Sequence, residues 1–263
     1  MGSMPVRLLV VVVCVGLVLV LTRLVRRRFH YTVMEPNNEF AGFMYSMIGL
    51  VYGVYLAFTI IAVWEQFSVA EEVTTAEATH LSELWRDAEV LRVEDRTAIQ
   101  QQLLSYADSV VHDEWATMAL QRGPAPKTSA IYEELWRRYY GVQLDASNAV
   151  QNAFYQEMIR RLNDLGLLRR RRLLAASSEL PPLMWVLLVT GGLVTVLFSL
   201  VFGTRHAWMQ YLVVGVVTGL VTFSILLVHA MQYPFSGDVS IRPGPYEVVV
   251  TAMKERAAGQ SNR

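Results

Sequence analysis

A single cysteine, Cys14, in 263 residues excludes an intramolecular disulfide, a CxxC redox pair and a thiolate zinc cage. Lying inside an apolar run, it reads as a small apolar helix residue. Also missing are a Gly-rich phosphate loop with its Lys, an HExxH pair, a GxSxG elbow and an acidic calcium loop. Without them the chain does not read as an enzyme, and no cofactor is expected. The five histidines are dispersed; the best metal-like pairing, His80 with Glu77 or Glu83, offers two ligands only, so no metal site is expected either. His112, Asp113 and Glu114 are adjacent, and adjacent helix residues point in different directions. The 23 basic and 23 acidic side chains cancel, which leaves no global field to draw nucleic acid.

Charge is also almost absent from four stretches, residues 6–25, 40–63, 183–202 and 211–230. About 20 mostly apolar residues suffice for a helix to cross a ~30 Å hydrocarbon layer. With 53% hydrophobic residues and a mean hydropathy of +0.31, the chain reads as an all-α integral membrane protein. The expected layout is four transmembrane helices in two pairs, residues 1–63 and 183–232, with an extramembrane helical-bundle insert at 64–182 and a C-terminal tail at 233–263. No small-x-small site follows the first run; Arg23, Arg26, Arg27 and Arg28 follow instead, as suits an uncleaved anchor. Ionisable residues inside the spans would mark an ion relay, and only His229, near one end, comes close.

The second span continues without Gly or Pro into Trp64 and a helical pattern through Leu91, with Val73, Ala76, Leu81, Leu84 and Ala88 on one side. Asp95 is expected to cap the next helix, which carries Ile99, Leu103, Tyr106 and Val110 and stops before Gly123. A third helix is expected at 129–140, ending at Gly141, and a fourth from about Asp145, with Gly166 a candidate interruption. Residues 64–114 hold 12 acidic and 3 basic side chains, whereas 122–182 hold 10 basic and 6 acidic, which predicts antiparallel packing of the two halves. Arg169, Arg170, Arg171 and Arg172 suit anionic lipid headgroups, the alternatives being a solvated face or ion pairs with Glu71 and Glu72. Gly49 with Gly53, and Gly215 with Gly219, permit close helix approach in lipid; the first pair could equally face an aqueous axis shared by several subunits.

The run from Gly53 through Tyr55 to Trp64, Gln66 and Phe67 resembles the bestrophin pore-helix signature, and Pro234, Phe235 and Gly237 resemble the segment after the last bestrophin span. With Glu114-Trp115 and the two-plus-two layout, the chain is most similar to the bestrophin-like family of bacterial membrane proteins. The resemblance implies a homo-oligomeric ion channel, a pentamer, with inorganic ions as cargo and the lipid bilayer as solvent. Its neck would be lined by Ser46, Leu50 and Val54, which spacings of four residues place on one helix face. Three departures set limits to the carry-over. The neck is less bulky and includes Ser46, Ala62 stands where bestrophins have Arg, and no acidic clasp follows Phe235, so the resemblance leaves the permeant ion and the gating stimulus open.

Basic residues near the spans do not decide orientation, since Arg23, Arg26, Arg27, Arg28 and Arg205 on one side face Arg7, Arg169, Arg170, Arg171, Arg172 and Arg242 on the other. The family places the insert and both termini in the cytoplasm, with the spans in the inner membrane. The competing reading is a membrane-anchored helical sensor or scaffold without conduction.

Overall fold

The computed structural model describes residues 4–29, 38–145, 147–202 and 204–261. The described residues form helices joined by turns: α1 (Met4–Arg28), α2 (Asn38–Asp87), α3 (Val93–Ser109), α4 (Trp115–Gln121), α5 (Pro126–Tyr140), α6 (Ala149–Ser177), α7 (Pro182–Ser199), α8 (Ala207–Met231) and α9 (Gly244–Ser261). Four of them, α1, α2, α7 and α8, are long and apolar enough to cross a membrane. The chain divides into two compact units. An apolar unit comprises Met1–Glu65 and Glu179–Gln232, and a bundle unit comprises Gln66–Ser178 and Tyr233–Arg263.

In the apolar unit α1 packs along α8, and α7 packs on α8. Helices satisfy their own backbone groups, which is what a hydrocarbon solvent demands. Hydroxyl side chains follow suit. Thr22, Thr59, Thr195 and Thr218 each donate to the carbonyl four residues earlier. Side chains of α1 lie close over the glycines of α8, since a Cβ on Gly215 or Gly219 would stand 3.8 Å from Val15. The tightest approach occurs elsewhere, where Tyr52 of α2 lies on Gly191 and Gly192 of α7. A Cβ on either glycine would fall 2.6–2.8 Å from the Tyr52 ring or hydroxyl. Tyr52, Val196 and Val221 form the small buried core there.

The bundle has a conventional dry core. Leu81 and Leu84 of α2, Ile99 and Leu103 of α3, Leu135 of α5, and Met158, Leu162 and Leu165 of α6 have no more than 1% exposure. Tyr246 and Met253 of α9 join the same cluster, so the C-terminal segment belongs to this core. The acidic and basic halves pair as antiparallel helices. Glu77 of α2 meets Arg172 of α6, while Glu83 and Asp87 meet Arg161, so numbering rises along one helix as it falls along the other.

Several local expectations need correction. Asp95 does not cap α3; Arg92 occupies that position, and Asp95 sits in the first turn, where it accepts from Arg92 at 3.3 Å. α5 begins at Pro126, three residues early, because proline's fixed φ suits a helix's first turn. α6 begins at Ala149, where the Asn148 side chain accepts from the Gln151 amide at 3.0 Å. Gly166 does not interrupt α6. It admits the Tyr132 hydroxyl, which a Cβ there would meet at 2.3 Å. A Cβ on Gly49 or Gly53 would meet nothing within 4 Å, so within the protomer these two glycines serve no close packing.

Candidate functional site

Two arrangements stand out, one in each unit. In the apolar unit α2 is two-sided. Its inner side holds Tyr52, Thr59 and Val63, and the Tyr52 and Tyr55 hydroxyls donate to the carbonyls of Leu188 (3.2 Å) and Met184 (2.7 Å) on α7. These bonds fix the rotation of α2 about its own axis. The opposite side is left uncovered: Leu50 is 69% and Val54 48% exposed, and Ser46 is exposed with its hydroxyl donating to the Gly42 carbonyl at 2.8 Å. Gly53 lies on that exposed side, and Trp64 is 63% exposed near its end.

The other motif residues belong to the bundle. Phe67 packs against the bundle core, and Gln66 is half-buried. Pro234 and Phe235 are buried in a loop closed by the Ile241 amide, which donates to the Pro234 carbonyl at 2.7 Å. Gly237 adopts φ 89°, a left-handed conformation that side-chain-bearing residues rarely accept. Trp115 reads the closed loop: its indole N–H donates to the Ile241 carbonyl at 3.2 Å, and Phe235 and Tyr246 meet its ring edge-on at 5.4 and 5.9 Å.

Beside Trp115 lies a buried network of charges. The Arg172 guanidinium, with no exposed side-chain surface, donates to both Glu77 oxygens at 2.7 and 3.2 Å and to Glu114 at 2.7 Å. Arg169 donates to the other Glu114 oxygen at 2.7 Å and to the Ser129 hydroxyl at 3.0 Å. The Tyr106 hydroxyl donates to Glu77 at 2.6 Å. Two guanidinium and two carboxylate groups cancel, which lets the cluster exist in a dry core. Burial pulls the Arg172 pKa down, yet the two carboxylates outweigh it and hold the group well above its ordinary value. Burial, reinforced by Glu77, pushes the Tyr106 phenol well up. Glu114 closes a π turn, Val110–Glu114, whose wider spacing brings it inward while the helix on either side stays regular.

The four consecutive arginines therefore do not act as one patch. Arg172 is buried and Arg169 largely so, both neutralised by Glu77 and Glu114 rather than by Glu71 and Glu72, and neither can reach a lipid headgroup. Arg170 and Arg171 are exposed and retain that expectation. A sequence signal for the network existed: Glu77 falls between Val73 and Leu81 on the apolar stripe of α2, and Arg172 falls between Leu165 and Ala176 on that of α6. A charge on a buried stripe requires a partner.

No curated protein matches the chain. Among solved structures it is similar to variants of a bacterial bestrophin homologue from Klebsiella pneumoniae. One gives a TM-score of 0.73 at 13% identity, with 100% of both chains covered; another gives 0.72 at 14% identity, covering 93% of this chain and 98% of that one. Identities this low establish the fold alone. The Bestrophin-like domain profile matches residues 8–246, from within α1 through the bundle and α8 to Tyr246. A match over that length decides the assignment: the chain belongs to the bestrophin-like family.

Proposed function

We propose that the chain forms a homo-oligomeric ion channel, pentameric as the resemblance implies, in which the α2 helices surround an axial path. The bundle and both termini lie on the cytoplasmic side of the inner membrane in this reading. It is carried by the face of α2 that the protomer leaves bare in a protein of this family. Leu50, Val54 and Ser46 share that face, and at 100° per residue so do Ala57 and Ile61, all exposed. Rings of Leu50 and Val54 form an apolar neck of the kind that gates by dewetting, and Gly53 leaves room beside it. Ser68, Glu72, Thr75 and Thr79 recur at the same angle farther along α2, and all four are exposed. A ring of Glu72 carboxylates with threonine hydroxyls favours cations over anions.

Planar-bilayer recording of the purified oligomer tests the reading. Leu50→Ala widens and hydrates the neck and raises conductance, Leu50→Trp blocks it, and Leu212→Ala, on the exposed side of α8, leaves it unchanged. Glu72→Gln lowers the cation-to-anion permeability ratio. An assembled oligomer that passes no ions under any voltage or salt gradient, with the Leu50 changes altering only thermal stability, would leave a membrane-anchored helical scaffold in place of the channel.

A further inference from the structure

We propose that the apolar unit carries a binding site for an anionic phospholipid where the end of α1 meets the start of α8. The site has a polar rim and an apolar interior. At the rim, Arg26 Nη1 donates to the Thr204 carbonyl at 3.1 Å and to the Gln210 side-chain oxygen. Gln210 is itself buried, and its amide nitrogen donates to the Leu200 carbonyl at 3.4 Å. Arg26 is thus held in place through one nitrogen, and among the described residues its Nε and Nη2 have no hydrogen-bond partner.

Thr204 and Gln210, the two residues that hold Arg26, also line a cavity of about 270 Å³ whose other walls include Tyr45, Phe202, Met209 and Val213. Its exposed lining is almost wholly apolar, and Arg26 is bonded to two of its wall residues, Thr204 and Gln210, so a fixed guanidinium adjoins an interior that excludes polar matter. That combination fits a phosphate joined to a hydrocarbon chain and not a phosphate alone. The surroundings add charge of the same sign. Arg23, Arg27 and Arg28 lie on the last turns of α1, and Arg205 adjoins Thr204; among the described residues none of them makes an ion pair. α1 is apolar over the length needed to cross a bilayer and ends at Arg28, which puts the rim at headgroup depth. This inference does not rest on conduction and stands or falls separately from it.

The test uses the full-length protein in detergent, titrated with phosphatidylglycerol, with phosphatidylcholine of the same acyl chains, and with inorganic phosphate. Bound lipid per protomer is read by native mass spectrometry and the stabilisation by unfolding temperature. Phosphatidylglycerol binds about tenfold more tightly than phosphatidylcholine, as several arginines at an anionic headgroup require, and inorganic phosphate gives no shift. Arg26→Gln removes that preference. Arg27→Gln, at an exposed position that makes no ion pair among the described residues, weakens it by up to about fivefold, so the proposal stays testable if Arg26→Gln fails to fold. Val213→Trp, which fills the cavity, weakens both lipids together. Equal affinity for the two lipids, or a response to inorganic phosphate matching that to phosphatidylglycerol, overturns the site. So does a preference that survives Arg26→Gln and Arg27→Gln but is lost in Arg170→Gln/Arg171→Gln, which would assign the lipid contact to the exposed arginines of the bundle.

Discussion

Leu81, Leu84, Leu103, Leu135, Met158 and Leu162 of the bundle have no exposed surface, whereas α1 of the apolar unit buries Thr22 alone among 25 residues. Both units are made of helices that carry many aliphatic side chains, so the difference lies in solvent. In water an apolar stripe must find partners in its own chain, and the bundle supplies them from six helices. In lipid an exposed Leu carries no such cost, so the apolar unit is held by a few close contacts and hydroxyl-to-carbonyl bonds. The bundle therefore concentrates its specificity in a buried charge network, and the apolar unit concentrates its own in glycines under an aromatic ring.

The largest expected effect breaks the bundle side of this contrast. Arg172→Met leaves Glu77 and Glu114 short of a cation in a dry core and destabilises the bundle by about 3–5 kcal/mol. Replacing Arg172 by Met and Glu77 by Gln together recovers a large part of that loss, because the stranded charge goes with its partner. Denaturant unfolding of the full chain in detergent measures both. Equal destabilisation by the single and double variants would show that shape, and not charge balance, holds this core.

A smaller effect sharpens the membrane side. Gly192→Ala places a methyl 2.8 Å from both the Tyr52 hydroxyl and Val221, forcing α2 and α7 apart at a cost of about 1–3 kcal/mol. Gly53→Ala meets nothing within 4 Å and does not lower the protomer's stability. Thermal unfolding of the two variants, alongside subunit number in nanodiscs, separates the cases. If Gly53→Ala lowers the oligomer number while Gly192→Ala does not, then Gly53 faces another subunit; equal loss of stability in both would refute the two-sided reading of α2.

Much of the fold was legible because its periods are long. The four apolar runs coincide with α1, the first half of α2, α7 and α8, and α2 passes unbroken from Asn38 to Asp87 as the lack of Gly and Pro after Gly53 predicts. Boundaries set by local chemistry were less legible. Asp95 and Asn148 both carry cap-forming side chains, and only Asn148 fills the cap, because the Arg92 backbone takes that position ahead of α3. Of the two glycine pairs at i,i+4 spacing, Gly215 and Gly219 lie under α1 while Gly49 and Gly53 meet nothing within the protomer, and the closest approach in the apolar unit lies at the adjacent pair Gly191 and Gly192, which no i,i+4 pattern reveals. The arginine run looked uniform in sequence, yet at 100° per residue Arg172 turns inward while Arg170 and Arg171 face solvent. Which of them has a partner depends on Glu114, 58 residues away.

The smallest effect tests the bundle's exposed ion pairs against its buried ones. Glu157 accepts from Arg160 and from Arg161, the latter at 2.8 Å, and these hydrogen bonds hold its carboxyl at about 2, below its ordinary 4.5. A depressed folded pKa contributes stability that is complete above the unfolded value of about 4.5 and disappears as pH falls through about 2. The unfolding difference between the wild type and Glu157→Gln should therefore be flat from pH 7 to about 5 and decline only toward pH 2, with the protein's other carboxylates cancelling in the comparison. Solvent and salt screen this pair, so the difference is small and shrinks further at high ionic strength. The Arg172 effect, walled off from solvent, does not respond to salt. A Glu157 difference already lost between pH 5 and 4, or one indifferent to salt, would mean that Arg160 and Arg161 do not hold the carboxylate in solution, and that the bundle's charges act only where they are buried.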